Sequence, residues 1–152
     1  RFAAYVDPES IRKRMTPEQI IAARPWLIDN QQINDRAKEI PAINALAAIE
    51  DKPGSFPLVY GPTGSVGFEL ASGIPTASST SDLDLLIRAP ERVPIGLAKE
   101  IMTIFSELPC RIDAQLETPR GAISLAEYAR GETPLLSRQP SGPALVSDPW
   151  DW

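Results

Sequence analysis

Between Ser81 and Ile87 the chain reads Ser-Asp-Leu-Asp-Leu-Leu-Ile, and this alternation restricts the fold more than any other stretch. A β-strand turns successive side chains to opposite faces, so Asp82 and Asp84 share one face while Leu83, Leu85 and Ile87 take the other. The apolar face has to lie on a core. The carboxylate face has to stay wet or receive a cation, because an unpaired buried charge is costly. Upstream, Leu58-Val59-Tyr60 reads as a second buried strand, Gly61 to Gly64 as a tight turn, and Ser65 to Ala71 as a helix. The pattern predicts strand, turn, helix, loop and strand in that order.

Those parts carry a chemical expectation. Residues i and i+2 on a strand lie roughly 6.6 Å apart along its axis, so Asp82 and Asp84 could both grip a metal pair about 3.5–4 Å apart. The helix that opens at Gly64-Ser65 offers unpaired N–H groups and the positive end of its dipole, which suits phosphate. The competing readings are an exposed acidic strand face and a capping serine after a tight turn. A third carboxylate is available in 111–117, where Ile112, Ala114 and Leu116 alternate with Arg111, Asp113, Gln115 and Glu117. Asp113 is the first choice, since lateral strand pairing at about 4.8 Å would bring it beside the Asp pair. Glu117, on the same face, is the rival, and Gln115 between them can hydrogen-bond either. Gly61, Gly64 and Gly67 have the spacing G-x-x-G-x-x-G, which is not the dinucleotide fingerprint. Gly64 is followed directly by Ser65 without the lysine of a Walker loop.

Composition narrows the chemistry further. The 152 residues include no histidine and only Cys110 as a cysteine. Ser-His-Asp and Cys-His mechanisms are therefore impossible within the chain, and so are zinc sites built on histidine or several thiolates. Carboxylates holding Mg²⁺ or Mn²⁺ are what remains. A formal charge of −5 argues against a nucleic-acid coat. Arg12-Lys13-Arg14 is the only basic run; Arg88, Arg111, Arg120 and Arg138 flank the proposed site strands and are candidates for phosphate or partner contacts. No apolar run reaches the roughly eighteen residues of a membrane span, and no signal-peptide pattern is present, so a cytoplasmic location without membrane contact is expected. Arg1 stands where a methionine would open a complete chain, and upstream sequence is expected.

The rest of the sequence sets the architecture. Thr16-Pro17-Glu18-Gln19 is a capping box that predicts a helix to about Arg24. Residues 27–39 read as polar and irregular, in part helical. Pro41 opens a helix through Ile49, and Asp51 to Ser55 is the loop dividing an N-terminal helical part, 1–52, from a catalytic domain, 53–152. Pro94 opens a helix through Leu108. Ser124-Leu125-Ala126-Glu127 opens a short helix that Gly131 can close. Leu135–Arg138 and Ala144–Val146 form a terminal hairpin, and Trp150 and Trp152 serve as packing anchors. The expected class is α/β (α+β), a mixed sheet flanked by helices with an N-terminal helical segment.

Gly-Ser at a helix start, Asp-x-Asp on the next strand and a lone Asp on a later strand together resemble the polymerase-beta-like nucleotidyltransferase superfamily. The sixteen residues between Ser65 and Asp82 exceed the usual spacing. Gly61 to Gly73, Ser81 to Leu86, Asp113 to Pro119, Ser124 to Glu127 and Ser141 to Trp150 resemble, more narrowly, the phosphoribosyl-dephospho-CoA transferases of malonate decarboxylase, its holo-acyl-carrier-protein synthases. The motif-dense likeness runs from about Ile40 to Trp150, and residues 1–39 are looser. The resemblance implies a nucleotidyltransferase-like sheet and triphosphoribosyl-dephospho-CoA as donor. It implies as acceptor a serine of the acyl-carrier subunit of malonate decarboxylase, and pyrophosphate as leaving group. It implies Asp82, Asp84 and Asp113 as catalytic metal ligands for two Mg²⁺ ions, with Gly64 and Ser65 binding the triphosphate. Two other readings stay open: a nucleotidyltransferase acting on a different protein or small molecule, and a non-catalytic nucleotide-binding module.

Overall fold

Thr16 and Gln19 start helix α1 (Pro17–Ala23) by the exchange their spacing requires. The Gln19 amide donates to Thr16 Oγ1 at 3.3 Å, and the Thr16 amide donates to Gln19 Oε1 at 2.9 Å. The computed structural model describes residues 5–25, 31–51 and 56–151. Two further helices, α2 (Gln31–Glu39) and α3 (Pro41–Glu50), complete the N-terminal part. The chain then runs β1 (Tyr60–Pro62), α4 (Gly64–Ser72), β2 (Leu83–Arg88), α5 (Ile95–Ser106), β3 (Ile112–Thr118), β4 (Gly121–Ser124), α6 (Leu125–Ala129), β5 (Leu135–Gln139) and β6 (Gly142–Val146).

The six strands form one sheet in sequence order. Strands β2 and β3 are parallel, joined by α5, and every other neighbouring pair is antiparallel. Helices with a mixed sheet make this a mixed α/β fold. Several elements depart from the pattern read in sequence. Strand β1 starts two residues later than Leu58 and includes Gly61 and Pro62, which read as turn. It lies at the sheet edge, where proline is tolerated. Strand β4 has only four residues, one of them Gly121 at φ 105°, and its alternation is too short to register. Helix α2 is regular from Gln31. The dividing loop at 52–55, residues 26–30 and Trp152 lie outside the described residues.

One sheet face is the core. Leu83, Leu85, Ile87, Leu116, Ile123 and Leu135 are at most 2% exposed there, packed with Ile43 and Leu46 of α3, Ile101 of α5 and Leu125 of α6. Each such side chain contributes about 1.5–3 kcal/mol by leaving water. The alternate residues, Asp84, Leu86 and Arg88 on β2, Asp113, Gln115 and Glu117 on β3, Ala122 and Ser124 on β4 and Arg138 on β5, form the open face. None of them is fully buried.

The N-terminal helices are tied to this sheet by specific contacts. A Cβ on Gly61 would lie 2.0 Å from the Pro17 carbonyl carbon, so only glycine lets α1 rest on β1. The buried Glu69 of α4 accepts a bidentate pair from Arg36 of α2 at 2.8 and 2.9 Å. It also accepts the amides of Thr76 and Ala77, each at 2.8 Å. Tyr60 donates its hydroxyl to Glu50, and burial together with that bond pushes the phenol pKa up. Trp150 donates its indole N–H to the Ala89 carbonyl at 2.9 Å, as a packing anchor should. Among the described residues no helix is long and apolar enough to cross a membrane.

Candidate active site

Parallel pairing of β2 with β3 sets Asp84 directly beside Asp113, and two residues further along it sets Leu86 beside Gln115. Alternation puts both carboxylates on the open face, where they line a cleft of about 720 Å³. Helix α4 enters the same cleft N-terminus first. Thr63, Gly64 and Ser65 line it, with Phe68 one turn on.

Gly64 is the tightest point of the cleft. Its φ is 60°, and a Cβ there would lie 2.0 Å from Asp84 Oδ2. Any other residue would collide with the carboxylate and strain the turn. The Thr63 amide donates to the Asp84 carbonyl at 2.9 Å, which fixes the turn to the strand. The Thr63 side chain makes no capping bond to α4. A negative group beside the first turn of a helix is favoured by its dipole. Ser65 is half-buried inside that first turn, one residue past the helix start.

Gln115 joins the cleft from β3. Its Nε2 donates to Asp113 Oδ1 at 3.2 Å, while its Oε1 is buried and has no hydrogen-bond partner among the described residues. The cleft thus presents two carboxylates and one unpaired amide oxygen. These are hard donors of the kind that suit Mg²⁺ or Mn²⁺. Among the described residues no three His, Cys, Asp or Glu side chains gather as a metal cluster.

Asp82 is placed differently. It precedes β2 by one residue, does not line this cleft, and lies 3.9 Å from Arg111 Nη1. Glu117 sits at the far end of β3, paired in register with Arg88. Arg88 donates to Glu117 and, at 3.1 and 3.3 Å, to both oxygens of Glu18. The Glu117 bond outweighs burial and, with Glu18, holds the Arg88 pKa above its ordinary value. Arg88 is therefore bracketed by two carboxylates. Of the four flanking arginines only Arg138 lines the cleft, reaching in from β5.

Two features of the site had no local signal in the sequence. Thr76 lines the cleft, and the loop that carries it is held by Glu69 and by Arg36, whose Nη2 donates to the Ala77 carbonyl at 2.7 Å. Arg36 and Glu69 are 33 residues apart, beyond the reach of any helical or strand periodicity. Burial alone would raise the Glu69 carboxyl, but Arg36 and the two amides outweigh it, leaving the pKa below the usual glutamate range.

Residues 27–149 match the family model described as phosphoribosyl-dephospho-CoA transferase MdcG C-terminal domain. A phosphoribosyl-dephospho-CoA transferase of Pseudomonas putida is 46% identical over 152 residues, 99% of this chain and 68% of that protein. The like-named protein of Pseudomonas aeruginosa is 35% identical over 150 residues, covering 99% of this chain and 67% of its own length. That of Azotobacter vinelandii is 34% identical over 154 residues, with shares of 99% and 68%. No solved structure matches. The family model over residues 27–149 and these relatives show that this chain belongs to the phosphoribosyl-dephospho-CoA transferase family.

Proposed function

We propose that this protein transfers the phosphoribosyl-dephospho-CoA group from triphosphoribosyl-dephospho-CoA to a serine of the acyl-carrier subunit of malonate decarboxylase. Pyrophosphate is the leaving group, and the chemistry follows the polymerase-beta-like nucleotidyltransferase plan. The observation that carries the reading is the Asp84–Asp113 pair, set side by side against Gly64 at the start of α4.

The serine Oγ attacks the α-phosphorus, forming a P–O bond as the bond from that phosphorus to the bridging oxygen of the β-phosphate breaks. The hydroxyl proton passes to the Asp113 carboxylate, which also orients the attacking oxygen. The N–H groups of Gly64 and Ser65, at the open end of α4, hold the triphosphate in line, and the Ser65 hydroxyl adds a donor. Asp84 and Asp113, with Asp82 beside the start of β2, are the residues that would hold Mg²⁺, and Gln115 supplies a further oxygen. When bound, Mg²⁺ supplies charge neutralisation for the phosphates and activates the hydroxyl.

The test is to incubate the protein with the acyl-carrier subunit, donor and Mg²⁺. The carrier mass should rise by the phosphoribosyl-dephospho-CoA group with an equal amount of pyrophosphate, and chelator should stop the reaction. An unmodified carrier, or modification by ATP in place of the donor, would overturn the proposal.

A further inference from the structure

Strand register carries the open face well past the carboxylate pair. Arg88 pairs with Glu117, Glu117 with Ala122, and Ala122 with Arg138, a lateral row across four strands. This row lies four residues beyond Asp84 and Asp113, about 13 Å along the strands. Over it opens a second cleft of about 670 Å³, lined by Pro90, Pro119, Pro140 and Ala122 together with Arg138 and the paired Arg88 and Glu117.

The two arginines differ. Arg88 is occupied by Glu18 and Glu117. Arg138 is exposed, and among the described residues no carboxylate lies within ion-pair distance of it. It lines both clefts and is the one residue they share. An uncompensated guanidinium between a phosphate-binding cleft and a proline-walled one is suited to a ligand anionic at one end and flat and apolar at the other. Guanidinium can pair with phosphate and stack on a planar ring.

We propose that the second cleft is the subsite for the purine nucleoside end of the donor, with Arg138 at the junction contacting a donor phosphate. The inference rests on the phosphoribosyl-dephospho-CoA reading. That donor joins a triphosphate to a purine nucleoside through a second ribose, so its two ends can occupy two clefts that share Arg138. The purine lies against Pro119, Pro140 and Ala122, while the reacting phosphate stays in the first cleft, at its Asp84–Asp113 end.

Two probes divide the site: dephospho-CoA, which has the purine but no triphosphate, and inorganic triphosphate, which has the reverse. Calorimetry on the full chain measures both. Ala122→Phe, which fills the second cleft, should weaken dephospho-CoA binding about tenfold or more by excluding the base, the roughly 1.4 kcal/mol of a tenfold change, and leave triphosphate binding unchanged. Arg138→Ala should weaken both. Ala122→Leu adds less bulk at the same strand position and repeats the test if Ala122→Phe melts early. Equal dephospho-CoA affinity in wild type and both Ala122 variants would overturn the subsite, as would a wild type that does not bind dephospho-CoA. Carrier modification by the wild type, measured separately, reports on the transfer reaction alone. Failure there with the Ala122 effect intact would reject the proposed reaction and retain the purine subsite.

Discussion

On β2, Leu83, Leu85 and Ile87 are at most 1% exposed, while Asp84, Leu86 and Arg88 between them are all half-buried on the other face. The same six residues therefore build a sealed surface and an open one. On the sealed face the contribution of a residue is the apolar area it removes from water, and position along the strand matters little. On the open face position decides everything. At the far end of β2 and β3, Arg88 sits between Glu18 and Glu117, so each carboxylate there has a cationic partner and α1 is held to the sheet. At the near end, Asp84 and Asp113 stand side by side. Like charges directly opposite on neighbouring strands are destabilising, so this pair contributes less to holding the sheet than the residues at the far end. Residues that hold the molecule together are thus set apart from residues that line the cleft.

The largest expected effect falls on the near end of the open face. Asp84→Asn should lower carrier modification roughly 10³-fold, the scale of losing one preorganised electrostatic contact in a reaction centre, without lowering the melting temperature. Asp82→Asn should cost less, because Asp82 stands outside the cleft beside Arg111. Equal losses in both variants would show that the cleft closes around Asp82 during the reaction.

A core residue should show the reverse. Leu116 is fully buried on the sealed face of β3, and Leu116→Ala should destabilise the protein by about 2–5 kcal/mol in denaturant titration. Activity per folded molecule should be retained at low temperature. A loss of activity without a loss of stability would erase the distinction between the faces.

The Arg36–Glu69 pair should behave as structure even though it supports the cleft loop. Glu69→Ala leaves a guanidinium without its partner and should cost about 3 kcal/mol, with Thr76 released from its amide bond. The pH dependence follows from the lowered Glu69 pKa. A depressed carboxylate contributes its full stability above the ordinary glutamate range, and that contribution is lost as pH falls through the lowered value. Thermal melts from neutral pH downward should show wild type losing more stability than Glu69→Ala in that acidic window. Parallel curves would remove Glu69 from the account of acid sensitivity.

These contrasts also explain what could be read in advance. The capping box at Thr16, the alternation in β2 and β3, the helix α5 and the hairpin β5–β6 are set by neighbours in sequence, and all were legible as elements. The Asp84–Asp113 pairing was legible once the two strands were taken as neighbours, because alternation fixes which residues share a face. Strand β1 starts two residues after Leu58 and takes in Gly61 and Pro62 because its pairing with β2, Gly61 opposite Leu86, is a long-range contact that local pattern does not announce. The Arg36–Glu69 clamp and the capture of Arg88 between Glu18 and Glu117 join residues far apart in the chain, so no local pattern announces them. Asp82 shares its strand-face spacing with Asp84 but falls one residue before β2, a boundary that periodicity does not fix.

The smallest expected effect belongs to Glu117. Glu117→Gln weakens a partly exposed ion pair, and its stability cost should stay within about 1 kcal/mol. Set beside Asp113→Asn, it forms the most direct test of the open face. The two residues share one strand and one face, four residues apart, with Asp84 beside Asp113 and Arg88 beside Glu117. Carrier modification at saturating donor should fall by orders of magnitude in Asp113→Asn and remain near wild type in Glu117→Gln, with both variants folded. Abolished turnover in Glu117→Gln alongside a functional Asp113→Asn would contradict the assignment and move the reaction to the other end of the strand.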